Sequence, residues 1–279
     1  MVPCFKHSFS IILLLLKEGV YMVEKWKLAL KEFLKKYEED DDIVGAILCG
    51  SYASGNQNEY SDIDVYLVLK DNCDYQERGN VDSNSYLIEY FMNPVWKIKK
   101  YMEDEFNKNN LSTANMFAYG KLIYDLDGSV KELQDEALSY IDRSIDNIKS
   151  EKLDMNNYHI WDNFDELNVC LKENNPNFNL IYYNLLGFVY DAYCEYLSIP
   201  KLPKTKVYKI LTDEDYRRKY HVFKLPDNEF ISLYLKCFEI DKANAMYKRI
   251  ENLINYYYKK QGGFNIRQFK LRRDLKEEQ

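Results

Sequence analysis

The sequence predicts an α/β (α+β) domain with a small mixed sheet, followed by an all-α helical bundle. Three observations lead there. Strand-like and helix-like runs alternate up to about residue 150. Beyond it strand-like runs become scarce and helical periodicity dominates. Prolines at 176, 200, 203 and 226 then punctuate the helical pattern. The expected domains are 22–150 and 151–279.

The first half reads as follows. Trp26, Leu30, Phe33, Leu34 and Tyr37 form one apolar helical stripe in a segment that starts near Met22. The acidic run Glu38 to Asp42 ends it as a solvated loop. Ile43 to Cys49, Ile63 to Leu69 and Tyr86 to Met92 are short, apolar and rich in β-branched or aromatic residues, so they are expected as strands. Asn93 is placed as an N-cap and Pro94 as the first residue of a helix that buries Val95, Ile98, Met102 and Phe106. Leu122 to Tyr124 reads as another strand. Asp125 and Asp127 beside Gly128 read as a turn, and Ser129 with Glu132 as a capping box. In the second half, helices are expected over 156–173, 178–197, 227–239 and 242–261. Asp227 and Asp241 are placed as caps and Gly262-Gly263 as the final stop.

The 279 residues are 46% hydrophobic and 30% charged, the balance of a globular protein with a sizeable core. A net charge of -7 repels a phosphate backbone, which disfavours nucleic acid as a partner. Cys4, Cys49, Cys73, Cys170, Cys194 and Cys237 form no CxxC pair, and read as reduced core thiols of a cytoplasmic chain. His7, His159 and His221 lack metal-ligand spacing. Residues 154–199 hold Asp154, Asp162, Asp165, Glu166, Glu173, Asp191 and Glu195 against Lys172 alone. That excess is read as a solvated helical face, with attraction of a cationic acceptor as the alternative. The 26 tyrosines are read as core and helix-packing residues. The basic tail residues Lys270, Arg272, Arg273 and Lys276 are read as a frayed end.

The chemistry is concentrated in Ile43 to Leu69, IVGAILCGSYASGNQNEYSDIDVYLVL. A buried strand runs into Gly50-Ser51, and a second strand is expected to begin Asp62-Ile63-Asp64. Side chains alternate along a strand, so Asp62 and Asp64 project together while Ile63 packs behind them. Adjacent carboxylates repel unless a cation lies between them, and Mg²⁺ takes oxygen ligands. Gly50 lets backbone approach a phosphate closely, and the turn after it presents N–H groups. Glu89, near the centre of the strand 86–92, is the third candidate carboxylate.

These residues resemble the DNA polymerase β-like nucleotidyltransferase superfamily, whose motif is an apolar strand, Gly-Ser or Gly-Gly, a linker, and Asp-x-Asp in a second strand. Glu89 falls where that family places a third carboxylate. AYGKLIYDLDGSVKELQDEAL, residues 118–138, is similar to the strand and helix that close the catalytic domain in bacterial members, including antibiotic (aminoglycoside- and lincosamide-type) nucleotidyltransferases. The helical half looks like their substrate-side domain. The resemblance implies transfer of a nucleoside monophosphate, AMP by expectation, from an NTP to a hydroxyl of a small-molecule acceptor, with release of pyrophosphate. It implies Asp62, Asp64 and Glu89 as catalytic residues and ligands of two Mg²⁺ ions, with Gly50 and Ser51 at the triphosphate. Many relatives carry an arginine where this chain has Ala53-Ser54-Gly55, so that cation is missing here. Two alternatives stay open: an antitoxin-like enzyme that transfers AMP to a protein, and an inactive nucleotide-binding relative. A fused toxin half is disfavoured, because Arg217 and Arg218 precede His221 by too few residues for its Arg–His motif.

Ser8 to Leu16 is apolar but short of the roughly 20 residues that span a bilayer, and no small-residue cleavage site follows it. Codons for Lys17-Glu18-Gly19 include a purine-rich ribosome-binding sequence just upstream of Met22. Residues 1–21 are therefore expected to be a mis-assigned leader or a disordered N-terminus. N-terminal mass spectrometry of the native protein should find a chain that starts at Met22; a mature chain starting at Met1 overturns this reading.

Overall fold

The structure, a computed structural model, describes residues 24–272. The expected leader, the start at Met22, Cys4, His7, Arg273 and Lys276 lie outside the described residues. The chain divides into two compact units: the described residues through Arg143 together with Arg218–Val222, and Ser144–Arg217 together with the described residues from Phe223.

The first unit is built on five strands: β1 (Ile43–Leu48), β2 (Ile63–Leu69), β3 (Glu77–Ser83), β4 (Tyr86–Pro94) and β5 (Lys121–Asp125). Their order is β3-β4-β2-β1-β5. β2 and β4 run parallel, and every other pair is antiparallel, so the sheet is mixed. Helix α1 (Lys25–Leu34) lies on one face. Its Ala29, Leu30, Phe33 and Leu34 are buried against Ile63, Val65, Leu67, Ile88 and Tyr90. Complete burial of a side chain such as Phe33 stabilises by about 1.5–3 kcal/mol. The stripe continues to Tyr37 as a 3-10 turn.

After the short α2 (Gly50–Ser54), the other helices of this unit are α3 (Val95–Phe106), α4 (Ser112–Ala118) and α5 (Ser129–Asp142). Phe117 of α4 meets the Tyr66 ring edge-on, with centroids 4.9 Å apart. α5 packs on β1 so closely that a Cβ on Gly45 would lie 2.2 Å from Val130.

Several local expectations change. Asn93 is not an N-cap: it is buried in β4, where its Nδ2 donates to the Tyr66 hydroxyl at 2.8 Å. Pro94 occupies the cap position, and the cap bond comes from Asp71, whose Oδ1 accepts from Trp96 N–H at 2.8 Å. Ser129 and Glu132 form no capping box. Asp125 accepts from the N–H groups of Gly128, Val130 and Lys131, and Asp127 from that of Ser129, which ties the turn into the start of α5. Strand β3 and helix α4 were not anticipated. β3 reaches β4 through Asn84 and Ser85, whose φ values of 48° and 68° are those of a two-residue hairpin turn.

The second unit is helical: α6 (Ser150–Lys172), α7 (Phe178–Tyr196), α8 (Val207–Thr212), α10 (Asn228–Lys236) and α11 (Ala243–Lys260), with α9 (Glu214–Lys219) at the division between the units. α8 and α9 were not anticipated. α6, α7 and α11 pack together around an aromatic core in which Tyr193 stacks on Phe230 at 3.7 Å. Gly262 and Gly263, with φ of 90° and 102°, end α11 as expected. Asp241 does not cap: α11 starts after Lys242, and the Asp241 carboxylate pairs with Arg249 at 2.9 Å. No helix among the described residues is long and apolar enough to cross a membrane.

Asp227 does cap α10, accepting from Glu229 and Phe230 N–H. It also accepts from the hydroxyls of Tyr193 and Tyr256 and pairs with Lys260 at 3.1 Å, so one carboxylate joins α7, α10 and α11. Burial opposes its ionisation, but the bonds from Phe230 N–H, Tyr193, Tyr256 and Lys260 outweigh it and hold the carboxyl well below the usual range. A depressed folded-state value means that the contribution is complete above the unfolded pKa, about 3.9, and is lost as pH falls toward the folded value. Asp227→Asn should therefore destabilise by about 2–3 kcal/mol at neutral pH. The gap in denaturant unfolding should narrow once the pH drops below about 4; a gap that does not change with pH refutes the assignment.

Candidate active site

The site is built where β1 ends. All six residues of β1 are buried. The chain then turns at Gly50, with φ of +64°, a conformation that disfavours any side chain. A second constraint is spatial: a Cβ there would lie 1.8 Å from Oδ2 of Asp64. Cys49 N–H donates to the Asp64 carbonyl at 2.8 Å, which locks the turn to the start of β2. Burial, reinforced by Asp64, pushes the Cys49 thiol pKa up, so the group stays an unionised packing residue. α2 ends at Gly55, in the left-handed region with φ of 74°.

The linker to β2 is shaped by its own polar groups. Asn58 N–H donates to Ser61 Oγ, and Asn58 Oδ1 accepts from Tyr60 N–H, both at 2.9 Å. Asp62 lies one residue before β2, not within it as expected. It is half-buried like Asp64, while Ile63 between them is fully buried. Parallel pairing then sets Asp64 directly opposite Glu89 of β4. One carboxylate oxygen from each of Asp62, Asp64 and Glu89 lies within 4.8 Å of the other two. The structure thus brings together the three acids singled out in the sequence, beside Gly50.

At that separation each pair of charges repels by roughly 3–4 kcal/mol at an effective dielectric of about 20. One cation is provided locally. Arg78, on the unanticipated β3, donates Nη2 at 2.5 Å and Nε at 3.2 Å to Oε1 of Glu89, and its guanidinium lies 4.7 Å over the Phe91 ring. Sequence reading missed Arg78 because its strand is polar; the signal available was the Ser83-Asn84-Ser85 turn just before the Tyr86 strand. Three half-buried carboxylate oxygens form a hard donor set of the kind that divalent cations accept. Ser51 Oγ is buried without a hydrogen-bond partner among the described residues. An unmet hydroxyl costs about 1–3 kcal/mol, so its presence beside the acids fits a ligand oxygen. In the Ala53-Ser54-Gly55 stretch, Ser54 Oγ donates to the Ser51 carbonyl at 3.2 Å.

The other candidates take structural places. Asp191 pairs with Lys204 at 3.1 Å and Glu195 with Lys201 at 2.5 Å, so two members of the acidic segment are neutralised locally. His221 stacks on Tyr119 with centroids 4.1 Å apart. The described cysteines are buried and unbridged, as expected.

A five-stranded mixed sheet with three convergent acids beside a Gly-Ser turn is the arrangement of a nucleotidyltransferase-type domain. Residues 29–129 match the family described as Polymerase beta, Nucleotidyltransferase, and this part of the chain is a domain of the DNA polymerase β-like nucleotidyltransferase superfamily. A solved nucleotidyltransferase-like protein from Exiguobacterium sibiricum is similar with a TM-score of 0.44 and 9% identity, over 85% of this chain and 77% of that one. No curated protein matches in sequence.

Gly50 and Gly55 both adopt left-handed backbone, but a Cβ on Gly55 would meet nothing within 4 Å. Gly55→Ala should therefore cost only about 1 kcal/mol, the backbone term. Gly50→Ala must also displace Asp64, and should cost about 3 kcal/mol or more. Thermal denaturation of the two variants compares them; equal losses contradict the close approach of Gly50 to Asp64.

Proposed function

We propose that the chain is a metal-dependent nucleotidyltransferase that moves an NMP, AMP by preference, from an NTP to a hydroxyl of a small-molecule acceptor. The observation that carries this reading is the convergence of the Asp62, Asp64 and Glu89 oxygens within 4.8 Å, beside Gly50 and Ser51, in a domain of this superfamily.

Asp62, Asp64 and Glu89 would hold Mg²⁺, two ions by expectation. Bound metal would neutralise triphosphate charge and stabilise the entering and leaving oxygens. The remaining work belongs to the chain. Gly50, without a side chain, lets the triphosphate lie against backbone. Ser51 donates its otherwise unmet hydroxyl to a phosphate oxygen. Arg78 fixes Oε1 of Glu89 and leaves Oε2 for metal or for the acceptor proton. The acceptor oxygen bonds to the α-phosphorus, the bond from that phosphorus to the bridging oxygen breaks, and pyrophosphate leaves. The hydroxyl proton passes to Glu89 or solvent. Catalysis is then mainly positioning and charge neutralisation.

A net charge of -7 favours a small acceptor, an antibiotic among the candidates, over nucleic acid. The protein is assigned to the cytoplasm. Transfer of AMP to a partner protein and nucleotide binding without turnover are the competing outcomes of one assay. The chain is incubated with labelled NTPs, Mg²⁺ and a panel of hydroxylated acceptors. Label should appear on a small molecule, vanish on chelation, and fall about a hundredfold or more with Asp64→Asn. Binding without turnover, or activity that survives Asp64→Asn, overturns the proposal.

A further inference from the structure

The face of the sheet that carries the three acids continues into a cavity of about 440 Å³. In the paired strands, the residues two positions on from Asp64 and Glu89 are Tyr66 and Phe91, themselves a register pair. Two residues along a strand is about 6.6 Å, so the cavity starts one side-chain step from the acids. Tyr66, Phe91 and Arg78 line it from the sheet, and Tyr101, Thr113 and Met116 close it from α3 and α4. It also lies on the Glu89 side of Asp64, toward β3, whereas Gly50 and Ser51 follow β1 on the opposite side. Resting on the nucleotidyl-transfer reading, that places it where the acceptor enters and away from the triphosphate turn.

Its walls say what it takes. Tyr66 and Phe91 are stacked, with centroids 5.6 Å apart and planes 21° from parallel. Tyr101 and Met116 add further apolar surface. The acids on the wall are already engaged. Glu105 accepts from Thr113 N–H at 2.7 Å and from its hydroxyl at 3.0 Å. Glu77 accepts from the Tyr90 hydroxyl. Tyr101 donates to Gln76 Oε1 at 3.0 Å, and Asn93 to Tyr66. The one cation, Arg78, is turned onto Glu89 and over Phe91. Such a lining offers apolar contact and few uncommitted charges, and its volume suits a drug-sized molecule.

We propose that this cavity is the acceptor pocket, and that it takes an uncharged, hydroxylated ring compound and not a polycationic aminosugar. The ring packs against Phe91, Tyr101 and Met116, and its hydroxyl points along the strands to Glu89. There the hydroxyl oxygen bonds to the α-phosphorus of the NTP, pyrophosphate departs, and the hydroxyl proton goes to Glu89.

The test titrates the full chain with 2-naphthol, a neutral fluorescent hydroxylated bicycle, alone and with saturating Mg·ATP, and in parallel with kanamycin as the polycationic aminosugar. Saturable 2-naphthol binding is expected, weakened about tenfold or more by Met116→Trp and by Ser112→Phe, and undiminished by Mg·ATP. Ser112 lines the cavity and is exposed at the start of α4, so its variant keeps the test decisive if Met116→Trp does not fold. No saturable binding, insensitivity to a folded variant, or tighter binding of kanamycin overturns the proposal. So does displacement by Mg·ATP, which assigns the ring space to the nucleobase. Label transfer from ATP is scored separately: variant-sensitive 2-naphthol binding by a chain that transfers no label defeats the nucleotidyltransferase reading and leaves the ring site standing.

Discussion

Three carboxylates on one small patch of sheet repel one another, and the first unit holds them together through the parallel pairing of β2 with β4. The register sets Asp64 against Glu89, and the pleat brings Asp62 to the same side. A slip of one residue would send Glu89 to the α1 face and move Ile88 toward the acids. That slip is opposed by the apolar set on the other face: Ile63, Val65, Leu67, Ile88 and Tyr90 all pack under α1. The hydrophobic core therefore enforces an electrostatic arrangement that the acids alone would not adopt. Gly50 tightens it further, because the turn lies so close to Asp64 that no other residue fits without displacing the carboxylate.

Much of this was legible in the sequence, and the reason is physical. β1, β2 and β4 are buried and apolar, so they announce themselves, and an Asp-x-Asp at the head of a strand fixes two side chains on one face. What escaped was of another kind. β3, Glu77–Ser83, has only one buried residue, and its inward side carries Gly79, Val81 and Ser83, too small and polar a set to read as a core strand. Arg78 went unnoticed with it. The cavity was equally hidden: Tyr66 and Phe91 look like core residues one at a time, and only their register pairing, with α4 above them, makes a wall. Asn93 misled for the same reason, since Asn-Pro before a helix normally reads as a cap, whereas a buried tyrosine hydroxyl claimed the amide.

The second unit depends on a different kind of interaction. Tyrosine is a costly core residue unless its hydroxyl finds a partner. Here Tyr182 donates to the Cys237 carbonyl, and Tyr193 and Tyr256 converge on Asp227. The rings stack while the hydroxyls tie helices together, so polar and apolar contacts are made by the same side chains. Composition alone gave the abundance of tyrosine and its role as core, but not that one aspartate would collect three helices.

β3 forms an outer border of the sheet, with the backbone groups of one side unpaired by any other strand. Such a border invites a neighbouring molecule to add a strand, and charged or polar side chains are the usual deterrent. Glu77, Arg78, Asn80 and Asp82 supply that deterrent here. Arg78 thus serves two masters: it steadies a carboxylate in the cleft and it discourages self-association. An apolar replacement selected to reshape the cleft would also leave a stickier margin, so losses of soluble protein and of turnover would arrive together and need to be separated.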